Sequence, residues 1–339
     1  MPALQTVWFL LIGLLLVGYA VLDGFDLGAG IVHLFVARDD SERRSVINAI
    51  GPVWDGNEVW LITGGGALFA AFPLVYATVF SSFYLAVMLL LAALILRAVS
   101  IEFRSKEANR LWRLAWDVGF TLGSALAALL FGVALGNVVR GLPLDAGGVY
   151  RGGLVGLLNP FAIVMGLLTL GLAAQQGSAW LVLKTQGALQ ARARQAGVAA
   201  TFVVIAAWVA ATVIGWYDSN RLFGNFGRSP LAWTGPVVAA IALTSMLYAY
   251  RRRQELRAFA LSSLAIVALA YTAGATLYPN LVPAAEASRS LTVDNAHSSD
   301  TTLTVMLVVA LVGMPIVLAY TAFIYWRFKG KVQLDEASY

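Results

Sequence analysis

An all-α, polytopic membrane fold with about nine transmembrane helices is what this sequence predicts, on three observations. Apolar residues fill 60% of the 339 positions and charged residues only 12%, where a soluble globular chain has about 45–50% and about 25%. The apolar residues fall in long continuous runs, each near the roughly 20 residues that a membrane helix needs, and not in the short alternating segments of a membrane β-barrel. The gaps between runs are too short to hold a soluble domain, so residues 1–339 read as a single membrane domain.

The first run, residues 7–36, follows MPALQT, which has no basic leader, and reads as a retained helix and not a cleaved signal peptide. ARDDSERR separates it from a second run at 47–70. AFP marks the turn into 74–100, and EFRSKEANR precedes 113–139. RGLPLDAGG leads to 156–184, TQGALQARARQ to 196–217 and DSNRLFGNFGRSP to 230–249. RRRQELR then leads to 257–279, and PNLVPAAEASRSLTVDNAHSSD to the last run, 302–328. With the N-terminus outside, the inner loops and their flanks carry 17 lysines and arginines against 5 in the outer ones. Cytoplasmic loops are the ones enriched in these residues, so the predicted topology is N-out, C-in. The net charge of +5 is topogenic on this reading and does not point to nucleic acid.

Several kinds of chemistry are excluded. There is no cysteine, hence no disulfide scaffold, thiolate metal site or iron–sulfur cluster. The two histidines, His33 and His297, lie in different segments, and His33 reads as an interfacial or packing residue. No Walker A, dinucleotide-binding or HExxH motif is present.

What the sequence does hold is acid inside the membrane. The second run begins GPVWDGNEVWLITGGG, and the first contains VLDGFDLGAG. At 1.5 Å per residue, Asp55 and Glu58 stand roughly 12 and 16 Å from the inner end of their helix, and Asp26 and Asp23 roughly 15 and 20 Å from the inner end of theirs. The two pairs are therefore expected at similar depth in a core about 30 Å thick, each pair spaced i,i+3 on one helix face. Asp117, in LWRLAWDVGF, is expected on the same side but shallower. Ionisable groups at such depth face a bundle interior or a hydrated route and often mark proton paths. Trp54, Asn57 and Asn48 are expected to supply hydrogen bonds without charge. Gly24, Gly28, Gly30, Gly56 and Gly64 to Gly66 are expected to let helices approach closely. The competing reading is structural: the acids pair with amides or with Arg97 and only lock the helices together.

Several stretches together carry a resemblance: GYAVLDGFDLGAG, ERRSVINAIGPVWDGNEVWLITGGGALFAAFPLVYATVFSSFY, IEFRSK, WDVGF, LLNPF and SLTVDNAHSSDTTLTVM. Nearly end to end, the chain resembles subunit II of the cytochrome bd quinol oxidases. The resemblance implies two four-helix bundles plus a peripheral helix, in the bacterial inner membrane. It implies a heterodimer with a haem-bearing subunit I that holds two haems b and one haem d. This chain would then bind no cofactor of its own, save the quinone or lipid that some members place in it. Quinol and O2 would be substrates of the complex, lipids its surroundings, and a small single-span accessory subunit is compatible with the family. The aspartate of WDGN, here Asp55, matches the family's proton-path residue, with protons taken from inside and quinol protons released outside. Extending that path to Asp23, Asp26, Glu58 and Asp117, with Arg97 beside it, rests on depth alone. Glu58 stands where relatives often have glutamine, and DSNRLFGNFGRSP is shorter than in some relatives. A proton-coupled secondary transporter and a purely structural scaffold are the alternatives, and the transporter is weakened because both acid pairs lie in the first two helices.

Overall fold

The computed structural model describes residues 4–145, 147–218 and 220–334. Thirteen helices and one two-stranded sheet occur among them. In order these are α1 (Leu4–Val36), α2 (Asp40–Ile50), α3 (Trp54–Ala71), α4 (Pro73–Ser82), α5 (Tyr84–Phe103), α6 (Arg110–Arg140) and α7 (Gly153–Gly156). They continue as α8 (Pro160–Lys184), α9 (Gly187–Asp218), α10 (Gly224–Arg228), α11 (Thr234–Arg251), α12 (Glu255–Leu277) and α13 (Asp300–Arg327). The strands β1 (Asn280–Val282) and β2 (Leu291–Thr292) pair antiparallel in the loop before α13.

Eight helices, α1, α5, α6, α8, α9, α11, α12 and α13, are long and apolar enough to cross a membrane. The second predicted run, 47–70, differs: it is divided. Gly51, Pro52 and Val53 separate α2 from α3, because proline lacks the N–H that would continue the ladder. What remains, α3, has 18 residues, and its first turn holds Asp55, Asn57 and Glu58, which keeps it out of that set. The 74–100 run is also divided, at Phe83. Just before it, Ser81 Oγ donates back to the Thr78 carbonyl at 3.1 Å, a bond that bends helices. The turn at 71–73 falls where the sequence placed it, with Pro73 opening α4, a position proline tolerates. α9 starts nine residues before the predicted 196. Its extra turns are polar, and Arg192 there donates to the Val36 carbonyl at 2.6 Å and pairs with Glu42.

Around α1 pack α3, α6 and α8; α5 lies on α6. α8 in turn packs on α9 and α12, and α11 on α12 and α9. The α1–α8 crossing is made by missing side chains: a Cβ on Gly28 would sit 1.8 Å from the Ala173 carbonyl oxygen, and one on Gly177 would sit 2.1 Å from the Gly28 carbonyl carbon. Gly30 likewise abuts Ser124 on α6. Gly64 also lets α3 approach α1, since a Cβ there would lie 3.3 Å from Leu16, but nothing lies within 4 Å of a Cβ on Gly24, Gly56, Gly65 or Gly66. Gly56, Gly65 and Gly66 lie on the less buried side of α3, whereas Gly24 is buried within α1. α13 touches only α1 and α3 appreciably, and most of its apolar side chains face outward.

Candidate functional site

Three carboxyl groups converge on one guanidinium. Arg97, on α5, is fully buried, held there by Gly123 of α6, whose missing Cβ would lie 2.9 Å from the Arg97 nitrogen. It donates from Nη2 to Asp23 Oδ1 at 2.6 Å and from Nη1 to Asp23 Oδ2 at 3.2 Å. Nη1 also donates to Glu58 Oε1 at 2.8 Å. Asp26, one turn along α1 and equally buried, accepts instead from Asn57 Nδ2 at 2.7 Å through Oδ2. Its Oδ1 is buried without a hydrogen-bond partner among the described residues. Asn57 is itself held by the Tyr325 hydroxyl of α13, which donates to Asn57 Oδ1 at 2.9 Å. Thus α1, α3, α5 and α13 each contribute to the cluster.

Asp55 is different. It is exposed, on the outer side of α3 among Val59, Ile62 and Phe69. The expectation that Asp55 and Glu58 share one inward face needs correcting. At 100° per residue an i,i+3 pair is offset by roughly 60°, enough that Glu58 turns in to Arg97 while Asp55 turns out. The supporting polar groups also divide. Asn57 reaches the acids. Asn48 lies in α2 and donates to the Arg44 carbonyl at 2.8 Å, and Trp54 packs against the apolar core.

Asp117 belongs to a second, separate cluster nearer the arginine-rich end. Its Oδ1 meets His33 Nε2 at 2.7 Å and Arg104 Nε at 2.6 Å, while Oδ2 accepts from Arg43 at 2.8 Å. Arg104, buried like Asp117, continues to Asp40 at 2.9 Å, which also takes Arg113 at 2.9 Å. His33 is therefore neither interfacial nor simply packed: it is fully buried and committed to Asp117. Sequence reasoning missed this pairing, and missed Arg104 and Tyr325 altogether. His33 and Asp117 are 84 positions apart, and Tyr325 and Asn57 are 268 apart, so no local spacing signals either contact.

The two histidines lie in unrelated surroundings, and the Nδ1 of His33 is buried without a hydrogen-bond partner among the described residues. The Nε2 of His33 is taken by Asp117, and its ring edge packs on Phe120 with centroids 5.3 Å apart. His297 sits in a loop with Nδ1 on the Ser298 carbonyl at 2.7 Å. Among the described residues no group of three or more His, Cys, Asp or Glu side chains could hold a metal ion.

Comparison with known proteins identifies the family. Residues 4–328 match the family model for cytochrome bd terminal oxidase subunit II. The chain is 38% identical to cytochrome bd-I ubiquinol oxidase subunit 2 of Escherichia coli K12, over 98% of this chain and 96% of the relative. It is 34% identical to cytochrome bd ubiquinol oxidase subunit 2 of Bacillus subtilis, over 99% of each. In fold it is similar to a chain of the bd oxidase from Geobacillus thermodenitrificans, with a TM-score of 0.79 at 16% identity, over 96% of this chain and 98% of that one.

Proposed function

Because the chain belongs to the cytochrome bd terminal oxidase subunit II family, we propose that its carboxyl cluster carries protons for the quinol:O2 oxidoreductase of which it is a subunit. The enzyme works in the bacterial inner membrane, coupling quinol oxidation to the reduction of O2 to water. The haems, two b and one d, are assigned to subunit I, as the family resemblance implies. Charge separation follows from taking the protons for water from the cytoplasm and releasing those of quinol outside.

The observation that carries the proposal is the stoichiometry of the cluster: Asp23, Glu58 and Asp26 lie around the single cation Arg97, and Asp26 does not bond it. A carboxyl group without a counter-charge can gain and lose a proton without breaking an ion pair. Asp55 supplies the exit. A carboxyl on an apolar outer face is costly against lipid, which supports a protein neighbour on that face of α3. We place subunit I there. Asp117 reads otherwise, since it accepts from His33, Arg43 and Arg104 together, and this supports a structural tie. The topology is N-out, C-in, and the chain forms one membrane domain. Its bundles are α1, α3, α5 and α6, then α8, α9, α11 and α12, with α13 peripheral.

The test is Asp55→Asn in the assembled complex, with O2 consumption normalised to haem content. Turnover falls at least tenfold if Asp55 passes protons. Unchanged turnover at normal haem content leaves the chain a scaffold only.

A further inference from the structure

A cavity of about 280 Å³ opens at the lysine- and arginine-rich end of the molecule, between the ends of α2, α8 and α13. Its wall includes Lys184, Arg327, Lys329 and Lys331, together with Trp180 and Tyr325, and no carboxylate lines it among the described residues. Lys331 is paired, with Glu255 at 2.5 Å. The other three form no ion pair with a described carboxylate. Lys184 matters most. Only 9% of it is exposed, and its ammonium is held by the Phe328 carbonyl at 2.5 Å and the Trp180 ring at 4.9 Å. A nearly buried ammonium that meets a carbonyl and a ring but no anion is incompletely compensated.

The surroundings specify what kind of anion would complete it. α13 turns Val305, Val309, Val312, Ile316 and Tyr320 outward, an apolar strip whose helical register continues to Arg327 in the cavity wall. A ligand with a phosphate head and acyl tails matches both parts at once: the head among the cations, the tails along α13. Basic pockets between helices on the cytoplasmic side are suited to such headgroups. We propose that this cavity binds the phosphate headgroup of an anionic phospholipid, with Lys184 as its deepest contact.

The experiment uses the complete oxidase complex, delipidated in neutral detergent and titrated with phosphatidylglycerol while bound lipid is counted by native mass spectrometry. Lys184→Gln is expected to weaken the tightest phosphatidylglycerol site about fivefold, the equivalent of about 1 kcal/mol for one basic residue. Arg327→Gln with Lys329→Gln, both at exposed positions, gives a similar loss and remains informative if Lys184→Gln fails to assemble. Phosphatidylcholine should not compete. Equal lipid retention by wild type and both variants overturns the proposal. So does displacement of phosphatidylglycerol by millimolar inorganic phosphate, which would make the cavity a site for free anions.

Discussion

Replacing Arg97 with methionine removes the only cation bonded in the carboxyl cluster among the described residues while keeping much of the side-chain volume. Arg97 is fully buried and makes three hydrogen bonds to Asp23 and Glu58, at 2.6, 3.2 and 2.8 Å. Removing one partner of a buried ion pair costs about 3–5 kcal/mol, because the remaining charge stays buried without compensation. At the lower end of about 2–4 °C per kcal/mol for larger domains, the complex should lose roughly 6–10 °C of thermal midpoint. The double variant Arg97→Met with Asp23→Asn distinguishes this from simple loss of packing. Neutralising both partners of a buried pair is often close to neutral, so the second change should restore a large part of what the first removed. The assay is thermal inactivation of the purified complex, at one scan rate for all variants because unfolding of such assemblies is rate-governed. A single variant within 2 °C of wild type, or a double variant less stable than the single one, refutes the reasoning.

Four further outcomes follow. Gly28→Ala places a methyl 1.8 Å from a backbone oxygen that cannot swing aside, so assembled complex should be largely lost from membranes. Gly24→Ala, with nothing within 4 Å, should cost nothing and gain up to about 1 kcal/mol from helix propensity; the haem content of membranes reads both. Tyr325→Phe deletes the hydroxyl that orients Asn57 and should cost about 1 kcal/mol of stability. If Asp26 carries protons, it also slows O2 turnover several-fold, most at alkaline pH, whereas an unchanged pH profile would confine Tyr325 to packing. In the loop after α6, hydrogen bonds from the Val149 and Gly147 amides and from Arg151 hold the Asp145 carboxyl below the ordinary aspartate range, the Val149 bond contributing most. A depressed carboxyl stabilises the fold above its unfolded pKa and loses that contribution as pH falls through the folded value. Amide exchange at Val149 should therefore stay protected at neutral pH and lose protection only in acid below the usual aspartate range.

The membrane character and the position of nearly every helix were legible because both depend on local composition: an apolar run of the right length has few alternatives in a bilayer. The breaks were less legible. Pro52 could be seen, yet the apolar pattern on either side made 47–70 look continuous, and the bend at Phe83 has no proline or glycine to announce it. The acids were found because charge within an apolar run is conspicuous at any distance from its partner. Arg97 and amides were legible as partners, and the structure pairs Asp23 and Glu58 with Arg97 and Asp26 with Asn57; which acid takes which was not, since Asp23 meets Arg97 across 74 positions and the choice between Asp55 and Glu58 for the inward position depends on how α3 is rotated after the break. The same blindness hid His33 on Asp117: each residue has an ordinary local context, and only the packing of α1 on α6 joins them.

The Tyr325–Asn57 bond has a consequence for biogenesis. Asn57 is synthesised 268 residues before the hydroxyl that will hold it, so α1, α3 and α5 must enter the bilayer with Asp26 and its amide partner unfinished. α13 closes the cluster only when the ribosome has passed Tyr325. A nascent chain arrested short of that point would expose an incomplete polar seam to lipid, and membrane quality control could recognise it as defective before subunit I ever docks.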